Sequence, residues 1–209
     1  SLADTASLLK LRGTTMQLAV PVGEGAMAAL MGPTVEETEE IAAAAVEAGT
    51  EDEVCDVAND NAPGQVVVSG STTAVERAVE IGAERGAKRS VMLPVSAPFH
   101  CALMQPAADA MEKALAETTI APPSVPIIAN ISADEVRDPE TVRTNLVSQV
   151  TARVRWRESV VCLKQKGVDT LVEAGPGKVL SGLARRIDRE LSSTSIQGYE
   201  DIEAFLGSL

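Results

Sequence analysis

Aromatic residues are scarce in this chain of 209 residues, which has one Trp, one Tyr and two Phe, together 2% of the sequence. Proteins that bind single-stranded nucleic acid stack bases on aromatic side chains, and this composition offers few of them. Positive charge is also in deficit, because 18 Lys and Arg stand against 30 Asp and Glu, for a net charge of -12. Since such a chain repels a phosphate backbone, we expect no nucleic-acid partner.

Cysteine and histidine are few as well. Cys55, Cys101, Cys162 and a single histidine do not have the spacing of a structural zinc site, so no metal is predicted. An odd number of cysteines is typical of reduced thiols, which favours a cytoplasmic protein. No apolar run approaches the roughly 20 residues that cross a bilayer, and the first residues lack a basic region followed by an apolar one. We therefore predict no membrane partner.

The hydrophobic pattern of residues 20–94 indicates a small domain. Residues 4–19 before it predict a helix with a broad apolar side. The segment itself predicts, in order, a strand at 25–32, a helix at 35–48, strands at 54–58 and 65–69, a helix at 72–85 and a strand at 88–93. This is the order of a split-βαβ, ferredoxin-like unit.

Longer alternation follows Pro94. The pattern predicts helices at 101–117, 139–149, 156–166 and 177–190, and strands at 125–129 and 170–173. Strands that alternate with helices favour a mainly parallel layer. The predicted fold class is therefore α/β, with residues 1–19 and 95–209 in one large domain that the small domain interrupts.

The only histidine, His100, lies in the segment from Pro94 to Met104, where Pro94 and Pro98 restrict the loop. A rigid loop at a domain junction is a common place for a catalytic base. The local sequence by itself favours the alternative, a partly buried histidine with satisfied hydrogen bonds. Cys101 opens an apolar run and is interpreted as a core residue, not as a nucleophile.

Three other positions invite a functional interpretation. Arg12 interrupts an apolar segment, so it either holds a carboxylate through two hydrogen bonds or is a solvated helix arginine. Asn61 belongs either to a polar turn between strands or to the lining of a cleft between domains. The turn Gly175–Lys178 is not a phosphate-binding loop, because Val179 stands where Ser or Thr is required.

Five segments, taken in order, resemble the malonyl-CoA:acyl carrier protein transacylases of bacterial type II fatty-acid synthesis. They are Leu9–Gly13, Asn61–Gln65, Pro94–Met104, Leu146–Gln149 and Glu173–Lys178. The resemblance implies an α/β-hydrolase-like large domain, present in part, with an inserted ferredoxin-like small domain and an active site between them. It also implies a serine that attacks malonyl-CoA and passes malonate to the phosphopantetheine thiol of acyl carrier protein.

The same resemblance implies a role for each of five residues. His100 would be the general base, and the backbone carbonyl of Gln149 would orient it. Arg12 would grip the free malonyl carboxylate, and Asn61 would line the acyl pocket. Phe99 matches a phenylalanine that, in the related polyketide acyltransferases, leaves little room for a methyl branch, so it would favour malonyl over methylmalonyl. No cofactor is implied, since the phosphopantetheine belongs to the carrier protein, and we expect a monomer.

The chain departs from the family pattern in one respect: it contains no Gly-x-Ser-x-Gly. The resemblance places the serine ahead of Ser1, so the chain by itself is expected to be inactive. Two other functions stay open, a thioesterase-type serine hydrolase and a non-catalytic binding or regulatory fragment. Residues 143–189 hold ten Lys and Arg against four Asp and Glu and could dock an acidic carrier protein, or simply face solvent.

Overall fold

The computed structural model describes residues 1–208 and has the predicted mixed α/β class. Within these residues there are eight α-helices and eight strands. The helices are α1 (Leu2–Ala19), α2 (Val35–Glu47), α3 (Thr72–Glu84), α4 (Gln105–Ala116), α5 (Pro139–Ser148), α6 (Trp156–Gln165), α7 (Val179–Ile187) and α8 (Tyr199–Leu206). The strands are β1 (Gly25–Met31), β2 (Cys55–Ala62), β3 (Gln65–Ser71), β4 (Arg89–Met92), β5 (Ile127–Ala129), β6 (Asp134–Val136), β7 (Thr170–Ala174) and β8 (Ser192–Ile196). Within residues 1–208, no helix has both the length and the apolar character needed to span a bilayer.

The first four strands form one antiparallel sheet in the order β2-β3-β1-β4. Strand β1 is buried on both faces. Ala28 and Leu30 pack with α2 and α3, whereas Met27 and Ala29 join a second cluster that includes Phe99. The predicted order of strands and helices over this segment is confirmed.

Strand β2 continues four residues beyond the predicted end at residue 58, into the segment interpreted as a polar turn. Its register with β3 shifts between Val57 and Asn59 and again between Asp60 and Ala62, so the edge strand keeps polar residues in extended backbone by forming bulges. The turn itself narrows to Pro63 and Gly64, where Gly64 has φ 65°.

A second layer begins with α1, which packs against α4. The buried apolar cluster of this layer joins Met16 of α1 to Met104, Met111 and Leu115, and it also includes Val150, which follows α5. The predicted helix over 101–117 divides into a short 3-10 helix (Ala102–Met104) and α4. The cluster therefore anchors both segments that flank His100.

The prediction of a mainly parallel layer is correct only for β7, which pairs in parallel with β8. Strand β5 instead pairs with β6 in an antiparallel ribbon, where Ala133 adopts the left-handed φ of 53°. Three elements were not predicted: β6, β8 and α8. The first is three residues long and the second is serine-rich, so neither carries a strong hydrophobic period.

Candidate functional site

His100 has an unusual backbone conformation, with φ 59° in the left-handed region. For a residue other than glycine this costs of order 1–3 kcal/mol and persists only where neighbours enforce it. On one side, the Cys101 thiol donates to the carbonyl of Pro98 at 3.1 Å. On the other, the amide of Ala102 donates to Oδ2 of Asp56 at 2.9 Å. The loop is thus fixed from both ends while the imidazole is half-buried.

The imidazole forms a hydrogen bond with Gln149, the residue at the C-terminal cap of α5. Nδ1 of His100 lies 2.9 Å from the backbone carbonyl of Gln149. Because a carbonyl only accepts, Nδ1 carries the proton and Nε2 keeps its lone pair. The Gln149 side chain donates in turn to the carbonyls of Ala152 at 3.0 Å and Arg153 at 3.3 Å, which fixes the turn that follows.

Burial is the main cause that lowers the pKa of His100, and the positive charge of Arg12 lowers it further; the backbone at Gln149 and Ala152 raises it, but by less. The imidazole is therefore neutral at pH 7. A neutral imidazole with an unprotonated Nε2 has the form required of a general base.

Arg12 is half-buried on α1, and burial lowers the pKa of its guanidinium. Within the described residues 1–208, no carboxylate lies within ion-pair distance of it and no side-chain hydrogen bond satisfies it. A partly desolvated guanidinium fork without an internal partner is suited to a carboxylate ligand. Its positive charge also acts on His100, where it helps to lower the pKa of the imidazole.

A cleft of about 1060 Å³ opens beside His100. Residues of α2, β2 and the segment 151–155 line it, among them Asp56 and Arg153. Asn61 lies in β2 but is not among the residues that line this cleft, and Phe99 packs its ring against two apolar clusters. The structure thus joins His100 to Gln149. Arg12, like Asn61, is not among the residues that line this cleft, and the roles of Arg12, Asn61 and Phe99 remain predictions.

The cysteines next to the site are poor nucleophiles. Burial raises the pKa of Cys55 to about 12 and that of Cys101 to about 11. Both thiols stay protonated at neutral pH, and a thiolate is the reactive form. This agrees with the interpretation of Cys101 as a core residue.

The backbone amides that follow the turn Gly175–Lys178 bind the carboxylate of Glu173. Both carboxylate oxygens of Glu173 accept hydrogen bonds from the first turn of α7, from the amides of Leu180 at 3.1 Å and Ser181 at 2.9 Å. The hydrogen bond from the Ser181 amide is the main reason that the pKa of Glu173 is lowered. The place where a phosphate would bind is therefore filled by a side chain, which agrees with the rejection of a phosphate-binding loop.

The basic segment 143–189 is largely neutralised within the structure. Ion pairs join Arg153 to Glu39, Arg155 to Glu158, Arg157 to Asp60, Lys164 to Asp188 and Glu190, and Lys166 to Glu135. Arg185, Arg186 and Arg189, at and after the end of α7, have no carboxylate within ion-pair distance among residues 1–208. Lys178, in the turn before α7, has none either within the described part of the chain, so the segment's cations without a carboxylate partner all lie between residues 178 and 189.

Sequence reasoning missed three residues that support the site. Asp56 holds the loop after His100, and Asp60 pairs with Arg157 to join β2 to α6. The alternation of polar and apolar residues along β2 was the available signal, but it does not say which partner each carboxylate has.

The protonation of His100 can be measured directly, because it is the only histidine. An NMR titration of the 209-residue chain should give a pKa below 6.5, the ordinary value. Replacing Arg12 by alanine removes a nearby positive charge and should raise that pKa, since protonation becomes less costly. Lys10→Ala removes the same charge from an exposed position of α1 and should change it less. A His100 pKa above 6.5, or equal responses to the two variants, would contradict this electrostatic account.

Comparison with known proteins gives one consistent result. Residues 1–199 match the family model described as acyl transferase domain. The malonyl CoA-acyl carrier protein transacylase of Bacillus subtilis is 40% identical over 209 residues, which are 100% of this chain and 65% of that protein. The crystal structure of acyl-carrier-protein-S-malonyltransferase from Bartonella henselae is 52% identical with a TM-score of 0.93, covering 100% of this chain and 65% of that one.

A structure of a type II PKS acyl-carrier protein in complex with its malonyl-transacylase is 37% identical with a TM-score of 0.91, covering 97% of this chain and 64% of that one. The chain thus spans about 65% of the length of the Bacillus subtilis protein and of the Bartonella henselae structure.

Proposed function

The chain belongs to the acyl transferase domain family, and we propose that it supplies the general base and the carboxylate-binding residue of a malonyl-CoA:acyl carrier protein transacylase. The observation that carries the proposal is the state of His100. Its Nδ1 lies 2.9 Å from the Gln149 carbonyl oxygen, so Nδ1 carries the proton and Nε2 keeps its lone pair, and the positive charge of Arg12 acts on the same imidazole. His100 thus offers a base, and Arg12, which has no carboxylate partner among residues 1–208, offers an anchor for a free carboxylate.

The proposed reaction has two steps. In the first, Nε2 of His100 takes the proton of a serine hydroxyl as the oxygen attacks the thioester carbonyl, and the CoA thiolate leaves with a proton returned by the imidazolium. In the second, Nε2 takes the proton of the phosphopantetheine thiol as its sulfur attacks the malonyl-serine ester, and the imidazolium returns that proton to the departing serine oxygen. No Gly-x-Ser-x-Gly occurs in the 209 residues, so the proposal assigns the serine to a segment outside them.

Arg12 is proposed to select the substrate by pairing with the free carboxylate of malonate. An acetyl group leaves the guanidinium unpaired in a half-buried position, which disfavours it. Asn61 is proposed to line the acyl pocket, with the bulge in β2 as the only structural support. No cofactor is required by this chemistry, because the acyl group passes between oxygen and sulfur without a change in oxidation state.

The division into domains is likewise a proposal. Residues 20–94 would be a ferredoxin-like small domain, supported by the strand order β2-β3-β1-β4 with two helices on one face. Residues 1–19 and 95–209 would be part of an α/β-hydrolase-like large domain, supported by the parallel pair of β7 and β8.

Acyl carrier protein is proposed as the partner, with a monomeric, cytoplasmic enzyme. The complex of a related malonyl-transacylase with its carrier protein supports this choice. Carrier docking would use Arg185, Arg186 and Arg189, because these cations have no carboxylate partner within residues 1–208.

The test requires the serine. We define the completed chain as these 209 residues joined to the part of the Bartonella henselae protein that they do not match. With malonyl-CoA and holo acyl carrier protein, the completed chain should form malonyl-carrier protein faster than it releases free malonate. Release of malonate without transfer would favour a hydrolase, and no consumption of malonyl-CoA would favour a non-catalytic module.

The proposed selection by Phe99 is tested by substituting leucine, which keeps an apolar side chain between the two clusters. We expect the ratio of methylmalonyl to malonyl transfer by the completed chain to rise roughly tenfold. This is the low end of the discrimination that a pocket achieves for or against one methyl group. A ratio within one variant does not depend on how much protein is folded. Phe205→Leu, which changes the other phenylalanine, should leave the ratio unchanged. An unchanged ratio in Phe99→Leu would remove Phe99 from substrate selection.

A further inference from the structure

Strand β2 contacts both segments that determine the position of the His100 imidazole. Its carboxylate at Asp56 accepts the amide of Ala102 at 2.9 Å, which holds the loop two residues after His100. Its backbone also pairs with Val154: the Val154 amide donates to the carbonyl of Ala58 at 2.8 Å, and the Asp60 amide donates to the carbonyl of Val154 at 2.9 Å.

A charged contact reinforces this pairing. Nε of Arg157 lies 3.0 Å and 2.9 Å from the two carboxylate oxygens of Asp60, and its terminal nitrogen lies 2.8 Å from Oδ2. Asp60 is 1% exposed, so the guanidinium shields its carboxylate from solvent. Planar pairs of this kind fix the relative orientation of the two groups, and removing one partner leaves a buried charge uncompensated.

The path from this pair to the imidazole is short and continuous. Arg157 stands in the first turn of α6, and Val154 before it is bonded on both sides to β2. The Gln149 side chain donates to the carbonyls of Ala152 and Arg153, which closes the turn between Val154 and the carbonyl that accepts from His100. The steps are hydrogen bonds of 2.8–3.3 Å and the short stretch of backbone from Arg153 to Arg157.

We propose that Asp60 is a positioning residue: through its pair with Arg157 it holds the segment 149–157 against β2, so that the Gln149 carbonyl keeps the proton of His100 on Nδ1 and leaves Nε2 free. Asp60 acts through Arg157 and touches no reacting atom. The importance of this arrangement for catalysis rests on the proposed function, but the arrangement itself is measurable without any transfer activity.

A neighbouring ion pair provides the matched control. Arg153 pairs with Glu39 at 2.6 Å and so also joins the segment 149–157 to a neighbouring element, the helix α2. The Arg153 side chain is 28% exposed and that of Glu39 is 55% exposed. Arg153 is no more exposed than Arg157, so the difference lies in the carboxylates: Glu39 is solvated, whereas Asp60 is 1% exposed, and pairs with a solvated partner contribute little to position or stability. Glu39→Gln should therefore leave His100 unchanged, whereas Asp60→Asn should not.

The experiment is nitrogen NMR of the 209-residue chain labelled in its single histidine, above the pKa of His100, where the shifts of Nδ1 and Nε2 report which nitrogen carries the proton. The parent and Glu39→Gln should show the proton on Nδ1. In Asp60→Asn, the population with the proton on Nδ1 should fall severalfold in favour of Nε2, while circular dichroism shows retained helix content.

A folded Asp60→Asn with lower thermal stability and an unchanged Nδ1 population would overturn the proposal, because Asp60 would then serve only the fold. If Asp60→Asn does not fold, Arg157→Lys is judged by the same shifts, since it keeps the charge and loses the planar fork. A parent protein that carries the proton on Nε2 would overturn both this inference and the proposed role of His100. If instead the variants show the expected tautomers but the completed chain transfers no malonyl group, that result would count against the proposed function alone.

Discussion

Replacement of His100 by alanine is expected to lower malonyl transfer by the completed chain by about 100- to 10,000-fold, the range that general acid–base catalysis supplies. Both proposed steps need a base, because neither a serine hydroxyl nor a thiol attacks efficiently while it holds its proton. The neutral state of His100, favoured by its burial, makes it available at pH 7. The loss should appear in kcat and leave KM nearly unchanged, since Arg12 still binds the carboxylate.

A second variant separates the loss of the base from damage to the loop. His100 has φ 59°, and asparagine tolerates this region of backbone better than alanine does. His100→Asn should therefore fold like the parent and be as inactive as His100→Ala. Transfer within tenfold of the parent in His100→Asn would exclude His100 as the base.

Replacement of Arg12 by alanine should change substrate choice as well as rate. Loss of a charge-assisted pair of about 1.5–3 kcal/mol corresponds to a decrease in malonyl transfer of roughly 10- to 150-fold. Transfer of acetyl should stay near its parent value, because an acetyl group has no carboxylate to lose contact with. The readout is kcat/KM of the completed chain for malonyl-CoA and for acetyl-CoA.

Two controls accompany Arg12→Ala. Lys10→Ala removes an exposed cation two residues away on α1 and should affect neither substrate. Arg12→Lys keeps the charge without the fork and should fall between the parent and alanine. Equal losses for malonyl and acetyl transfer in Arg12→Ala would show that Arg12 supports the fold of α1 and does not bind the carboxylate.

The sequence predicted the parts of this molecule that local patterns encode. The strand and helix order over residues 20–94 follows from alternation and from turn residues, and the structure reproduces it. Strand β8 was missed because its serine-rich sequence carries a weak period, whereas helix α8 was missed although its apolar residues recur at helical spacing. Strand β2 was ended too early because Asn59, Asp60 and Asn61 are typical turn residues. Their place in a strand depends on partners elsewhere in the chain.

The candidate site shows the same limit. Motif resemblance indicated His100 and Gln149, and the structure joins them at 2.9 Å across 49 residues. Nothing local to Asp60 indicates that its partner is Arg157, which lies 97 residues away. A buried carboxylate is recognised only when the fold places a cation against it, so the residues that hold the base in position were not predictable from the sequence.

The most direct test of the proposed function is the intact mass of the completed chain after incubation with malonyl-CoA and no acceptor. We expect the mass to rise by one malonyl group with release of CoA, the adduct to lie on a serine, and both to be lost in His100→Asn. Unchanged mass with no CoA released from the parent would contradict the account, because no acyl-enzyme would then exist for His100 and Arg12 to serve.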